Sequence, residues 1–183
     1  PEARYEAFEH AVRRIFASAM NEDALAYRFQ RGLDRMDEQM ALLVQRVSGA
    51  YHTNLFYPKM AGVGLSHNPF VWKKGMDPQA GMLRLVYGLG TRAVDRVEND
   101  YPRIVALDDP LVKPLAGMAE LRRFSQHFVD VLNLEENRTE SVRFAAMLEK
   151  GIAADIDRYT TRDTEAMEAL RTMGLPVREQ RVL

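Results

Sequence analysis

An α+β fold, with a mostly antiparallel sheet packed against helices, is what the sequence predicts, and three observations predict it. The opening stretch carries apolar side chains at helical intervals. Several later runs are short, apolar and bounded by Gly, Pro or Asn. Two helices joined by a tight connection open the chain, and a mostly antiparallel sheet backed by them is the simplest assembly of these runs.

The elements follow in chain order. From Pro1 to Ala19, the residues Tyr5, Phe8, Val12, Ile15, Phe16 and Ala19 recur at three- and four-residue intervals, and charged residues fill the other face. This predicts an amphipathic helix. Asn21 is placed to cap a second helix that carries Glu22 and Asp23 in its first turn and meets a stop at Gly32. The run Met40 to Val47 is nearly continuously apolar and predicts a strand covered on both faces, leading into a turn at Ser48-Gly49. Gly62–Ser66 and Met82–Tyr87 predict two more strands, joined by a Pro- and Gly-containing loop from Asn68 to Gly81.

Ile104–Leu107 is a further apolar run, after which Pro110 and Pro114 break any long element. Phe128–Leu134, the polar Glu135-Glu136-Asn137-Arg138 and Glu140–Phe144 predict a strand, a turn and a returning partner. Asp163 can cap a last short helix through Ala166, Met167, Leu170 and Met173, stopped by Gly174 and Pro176, with a frayed tail beyond. There is no internal repeat. The first residue is Pro1 rather than Met, which suggests a chain cut from something longer.

Composition narrows the function classes. The 183 residues suit one domain, and 46% apolar with 28% charged residues suits a folded globular chain. A formal net charge of −1 gives no global field toward nucleic acid or an anionic membrane, so any polyanion site is local. The absence of cysteine removes disulfides and thiolate chemistry and suits a reducing cytoplasm. No stretch approaches the roughly 20 apolar residues of a membrane span. The four histidines show no metal-ligand spacing with one another.

The most unusual segment is Tyr87-Gly88-Leu89-Gly90-Thr91-Arg92-Ala93-Val94-Asp95-Arg96, where a strand ends in a Gly-x-Gly turn followed by a short helical pattern. Glycines let backbone N–H groups approach an anion, and Arg92 and Arg96, spaced i,i+4, would share a helical face suited to phosphate oxygens. The bland alternative is a glycine turn with two solvated arginines. Gln45, Arg46 and Val47 end an apolar run where backbone groups can bond a flat heterocycle such as adenine; the alternative is an apolar strand turning polar at the surface. Ser66-His67-Asn68-Pro69 can line a cleft mouth or simply form a turn. Glu135-Glu136 reads as a solvated turn, and the aromatic stretch from Tyr51 to Trp72 as core packing or a substrate-side wall, too poor in cations for a nucleic-acid platform.

Taken in order, Ala11–Ser18, Met40–Val47, Ala61–Pro69 and Tyr87-Gly88-Leu89-Gly90 resemble the ATP-grasp-like nucleotide-binding domain of phosphoenolpyruvate synthases and pyruvate, phosphate dikinases. The likeness is strongest over residues 1–110. It continues more loosely through Ser125–Asn137 into a C-terminal extension, 111–183, so that the whole chain reads as part of that one domain.

The resemblance implies the ATP-binding portion of a phosphotransferase in which ATP and Mg²⁺ phosphorylate a histidine on a separate domain en route to pyruvate. It implies adenine at Gln45, Arg46 and Val47, phosphates at Gly88, Gly90, Thr91 and Arg92, and the metal at Asp95. Thr91 and Asp95 stand where synthases usually carry Glu and Gln, and His67 where relatives often carry Arg. The family's phosphate-binding Lys and Arg segments lie upstream of Pro1, and the chain has no motif for the phosphoryl-carrying histidine. The implied partners are therefore ATP, the upstream Lys- and Arg-bearing subdomain and the phosphohistidine domain, with no nucleic acid and no membrane. The expected isolated chain is inactive and holds no catalytic residue of its own. A catalytically degenerate nucleotide-sensing or protein-interaction module is the alternative.

Overall fold

A computed structural model describes residues 2–95, 97–114, 117–152, 156–177 and 179–183. The chain divides into two compact units, Pro1–Val47 and Ser48–Leu183, each described by itself.

The first unit is helical. Helix α1 spans Glu2–Ser18 and α2 spans Glu22–Gln30. The Asn21 side chain accepts from the Ala24 N–H at 2.7 Å, which satisfies one of the unpaired donors of the first turn. At the other end Gly32, with φ 66°, donates to Phe29 and Leu33 donates to Arg28, so a left-handed glycine closes the helix as expected. Neither helix buries a residue, and Tyr5, Phe8 and Phe29 are more than half exposed.

Met40–Val47 corrects the sequence reading. It forms no strand, and Leu43 and Val44 are 81% and 72% exposed. A strand covered on both faces needs neighbours on both edges, and no segment among the described residues pairs with this one.

The second unit holds the sheets and the core. Strands β1 (Ala50–His52) and β2 (Leu55–Tyr57) form a hairpin through Thr53, whose φ is 57°; β2 then pairs with β6 (Phe128–Asn133), which pairs with β7 (Arg138–Arg143). A second antiparallel sheet has β4 (Met82–Val86) between β3 (Ala61–Leu65) and β5 (Arg103–Ala106). Both sheets are antiparallel throughout, so the fold is α+β as expected. The β1–β2 hairpin lies in the aromatic stretch. Tyr57 is fully buried there, as core packing requires, whereas Tyr51 is exposed.

The core gathers Leu55, Tyr57, Tyr87, Val129, Val131, Phe144 and Met147. Val129 and Val131 alternate with Asp130 and Leu132 along β6, which gives this strand one apolar face in the core and one face turned the other way. Helix α5 (Phe144–Glu149) follows β7 directly and supplies Phe144 and Met147. Helices α3 (Thr91–Val94), α4 (Met118–Arg123) and α6 (Thr164–Thr172) complete the unit, and Asp163 caps α6 by accepting from Ala166 at 2.9 Å.

Helix α3 stops at Val94, and Arg96, the second arginine of the expected phosphate pair, lies outside the described residues. One more expectation changes. The tail is not frayed: β9 (Arg181–Val182) pairs with β8 (Thr161–Arg162), Val182 is buried, and Arg181 bonds Thr160 and Asp157. An apolar residue and a cation with carboxylate and hydroxyl partners hold the end of the chain in place.

Candidate functional site

The Gly-x-Gly turn sits where β4 hands over to α3, and the two glycines have different reasons to be there. Gly88 has φ 92°, and a Cβ on it would meet Val129 Cγ1 at 2.5 Å and the Asp130 carbonyl oxygen at 2.8 Å. Only glycine allows the turn to lie this close to β6. Gly90 has a helical φ of −70°, and its nearest neighbour to a Cβ is 3.5 Å away. The turn is also tied down through its backbone: Gly88 N–H donates to Pro58 at 3.1 Å and Leu89 N–H donates to Asp130 at 2.8 Å. Those two donors are therefore spent within the protein.

Beneath the turn lies a network the sequence did not reveal. Arg92 Nε donates to Asp130 Oδ1 at 2.9 Å, one terminal nitrogen pairs with Asp100, and the other donates to Ser141 Oγ at 2.9 Å. Thr91 Oγ1 donates to Asp130 Oδ2 at 2.6 Å, and Ser141 donates to Asp130 Oδ1. The Arg92 guanidinium also lies 5.5 Å from the centre of the Phe128 ring. Asp100 accepts in turn from the His127 and Phe128 N–H groups. Burial pushes the Asp130 carboxyl up, but hydrogen bonds from Ser141, Thr91 and Arg92, with the Arg92 charge, outweigh it and hold the group below its ordinary value.

Gln126 performs a parallel task one strand over. Its amide oxygen accepts from Tyr87 N–H at 2.8 Å, and its amide nitrogen donates to the Tyr87 carbonyl at 2.8 Å and to the Phe128 carbonyl at 2.7 Å. The residue is buried, so these bonds replace water at the end of β4. The entry of the chain into the glycine turn is thus fixed by a side-chain amide, and its exit by an arginine between two carboxylates.

The remaining candidates sit apart from that frame. Asp95 follows α3, is exposed, and has no side-chain partner among the described residues. No three His, Asp or Glu side chains converge as a metal site among the described residues. Gln45, Arg46 and Val47 are exposed and belong to the first unit, whereas Gly88, Gly90, Thr91, Arg92 and Asp95 belong to the second. In Ser66-His67-Asn68-Pro69, His67 is exposed, but Asn68 is buried: its N–H donates to Pro78 at 2.8 Å and its Oδ1 accepts from Phe70 at 3.0 Å. This is turn chemistry.

Asp100, Gln126, Asp130 and Ser141 are the residues that sequence reasoning missed. One signal pointed to Asp130: a lone acid inside Phe-Val-Asp-Val-Leu-Asn, an otherwise apolar strand, calls for a cation opposite.

The second unit combines antiparallel sheets with helices, and its glycine turn follows the central strand β4. The chain belongs to the pyruvate phosphate dikinase AMP/ATP-binding domain family, whose model matches residues 3–176, and that family is ATP-grasp-like. No curated protein and no solved structure matches the chain. No helix among the described residues is long and apolar enough to cross a membrane.

Proposed function

We propose that this chain is the nucleotide-binding portion of a phosphoenolpyruvate synthase-like phosphotransferase, which uses ATP to phosphorylate a carrier histidine on another domain en route to pyruvate. The observation that carries the reading is the rigid mounting of the glycine turn in a chain that matches an AMP/ATP-binding family nearly end to end. Phosphoryl transfer is a matter of positioning and charge neutralisation, and a turn held from below by Gln126, Asp130 and Arg92 is preorganised for positioning.

In this reading the roles divide. Gly90 and Thr91 offer backbone to the phosphates, while Gly88 and Arg92 act from beneath: Gly88 by permitting the close approach to β6, Arg92 by spanning Asp100, Asp130 and Ser141. Gln45, Arg46 and Val47 have their side chains exposed and no ladder partner, which leaves their peptide groups available to adenine. Mg²⁺ commonly takes one or two protein carboxylates and fills its shell with phosphates and water. Asp95, one exposed carboxylate beside the turn, fits that need, and the ion would neutralise phosphate charge there.

Calorimetric titration of the chain with Mg-ATP tests the proposal. Weak, Mg²⁺-dependent binding that Asp95→Asn weakens further is expected, without turnover. No binding at millimolar ATP refutes the reading. One observation favours the alternative of a nucleotide-sensing module: the position after Gly90 is Thr91, which has no carboxylate to offer a metal and donates its hydroxyl to Asp130. ATP binding indifferent to Mg²⁺ would select that alternative.

A further inference from the structure

Strand β4 carries a cation where an antiparallel sheet normally places an apolar side chain. Met82, Arg84 and Val86 alternate onto one face of the central strand, and Met82 and Val86 are 2% and 4% exposed. The cross-strand neighbours of Arg84 are Val63 and Ile104, both apolar. Arg84 is half-buried, yet among the described residues its side chain has no hydrogen bond or ion pair. Arg92, Arg122 and Arg181, which also sit against buried groups of this unit, have carboxylate partners. A partly desolvated guanidinium without an anion is costly, and a bound anion would remove that cost.

Arg84 lies on the wall of a cleft of about 1120 Å³, bounded by both outer strands of its sheet, the 110–114 loop, α4 and residues 158–161. Lys59, Arg84, Arg103, Lys113 and Arg158 line it, and among the described residues no Asp or Glu side chain does. In a chain with 25 basic and 26 acidic residues, that asymmetry is local. The rest of the wall is largely apolar and aromatic, including Phe70, Tyr101, Phe124 and Tyr159. A concave apolar site with a few convergent polar groups is the usual form of a small-molecule pocket. None of the residues proposed above for nucleotide binding lines it.

We infer that this cleft is a second binding site, for a small organic anion that joins a carboxylate or phosphate group to an apolar body, with Arg84 meeting the anionic group. The aromatic wall takes the apolar part, and Lys113 on the covering loop adds charge at the mouth. The site is independent of the nucleotide proposal and stands whether or not the turn at Gly88–Arg92 holds phosphates.

Titration of the chain with 1-naphthyl phosphate and 1-naphthoate tests the inference, with neutral 1-naphthol and inorganic phosphate as controls. Either naphthyl anion should bind at least about tenfold more tightly than both controls, since each control lacks one half of the recognition; the stronger of the two identifies the anionic group. Arg84→Gln should weaken that anion about tenfold, the loss of one charge-assisted hydrogen bond, with an unchanged circular dichroism spectrum. Should Arg84→Gln unfold the protein, Lys113→Gln on the exposed loop decides, with an expected loss of a few-fold. Thr91→Ala and Asp95→Asn should leave naphthyl anion binding unchanged. Equal affinity for 1-naphthol, wild-type affinity in both cleft variants, or one-for-one displacement of the probe by Mg-ATP would overturn the inference. The last result would identify the cleft as the nucleotide's own site, whereas failure of Mg-ATP binding alone would leave the cleft standing.

Discussion

Replacing Arg92 by Met separates a bracing arginine from a ligand-binding one. The Arg92 side chain is 11% exposed, and its partners Asp100 and Asp130 are 3% and 17% exposed. Methionine keeps much of the volume and can still pack on Phe128, so the loss is mainly electrostatic. Two carboxylates remain in a water-poor setting with their shared cation gone. Removing one member of a buried pair costs about 3–5 kcal/mol, mostly from the stranded charge. Here the charges are not fully stranded: Asp130 keeps the Thr91 hydroxyl and Asp100 keeps the His127 and Phe128 N–H groups. The lower end, about 3 kcal/mol, is therefore expected. For a chain of this size that corresponds to a fall in Tm of roughly 6–12 °C, at 2–4 °C per kcal/mol.

Urea unfolding followed by tyrosine and tryptophan fluorescence measures the cost directly. The companion variant Asp130→Asn sharpens the test, because in the Arg92→Met background it removes one stranded charge and should recover part of the loss, giving a coupling of about 1–3 kcal/mol. A cost below about 1 kcal/mol, the value of a solvent-exposed pair, would refute the bracing role. A stable Arg92→Met that nonetheless loses Mg-ATP would return Arg92 to direct phosphate contact.

The other predictions concern the turn and acid stability. Gly88→Ala should cost roughly 2–5 kcal/mol, combining a left-handed backbone with overlap on β6, whereas Gly90→Ala, at a helical φ, should change the urea midpoint little or raise it. Equal effects would show that the two glycines serve one purpose. Burial, and then the Lys59 charge, hold the His52 imidazole below its ordinary value of 6.5, so His52 contributes stability above that pH that is lost as pH falls through its lowered folded value. The urea midpoint should therefore drop from pH 7.5 to 5.5, and His52→Gln should flatten that slope; an unchanged slope sinks the assignment. Asp130 and Asp163 are likewise depressed, Asp163 chiefly by its hydrogen bond from Arg122, so both contribute above the unfolded value of 3.8. A second loss should follow as pH falls below about 4, and Asp163→Asn should reduce it.

Local chemistry was legible wherever it was self-contained. Asn21 and Asp163 cap the helices they precede because an N-cap needs only its own side chain and an N–H three residues on. The Phe128–Arg143 hairpin was readable for the same reason: two alternating runs flank Glu-Glu-Asn, and Asn137 takes the positive φ that closes the turn. Met40–Val47 was misread because its composition describes what could cover it, while strand formation depends on partners that composition does not contain. Helices α4 and α5 went unrecognised because six residues are too few for a helical period to show.

The candidate site shows the same division between local and non-local chemistry, with a consequence for function. Gly-x-Gly followed by Thr-Arg is an anion-binding pattern only if its donors face outward, and that depends on residues 38 to 49 positions away in sequence. Asp130 and Ser141 turn Arg92 inward, Asp130 also occupies the Thr91 hydroxyl, and the nearness of β6 makes Gly88 a packing requirement. The motif thus contributes a shape more than a set of contacts. With Arg92 neutralised from beneath, the proposed phosphate site would rely on backbone, bound metal and positive charge from another part of the site. That is why weak, Mg²⁺-dependent affinity, rather than tight binding, is the outcome that distinguishes this reading for the chain by itself.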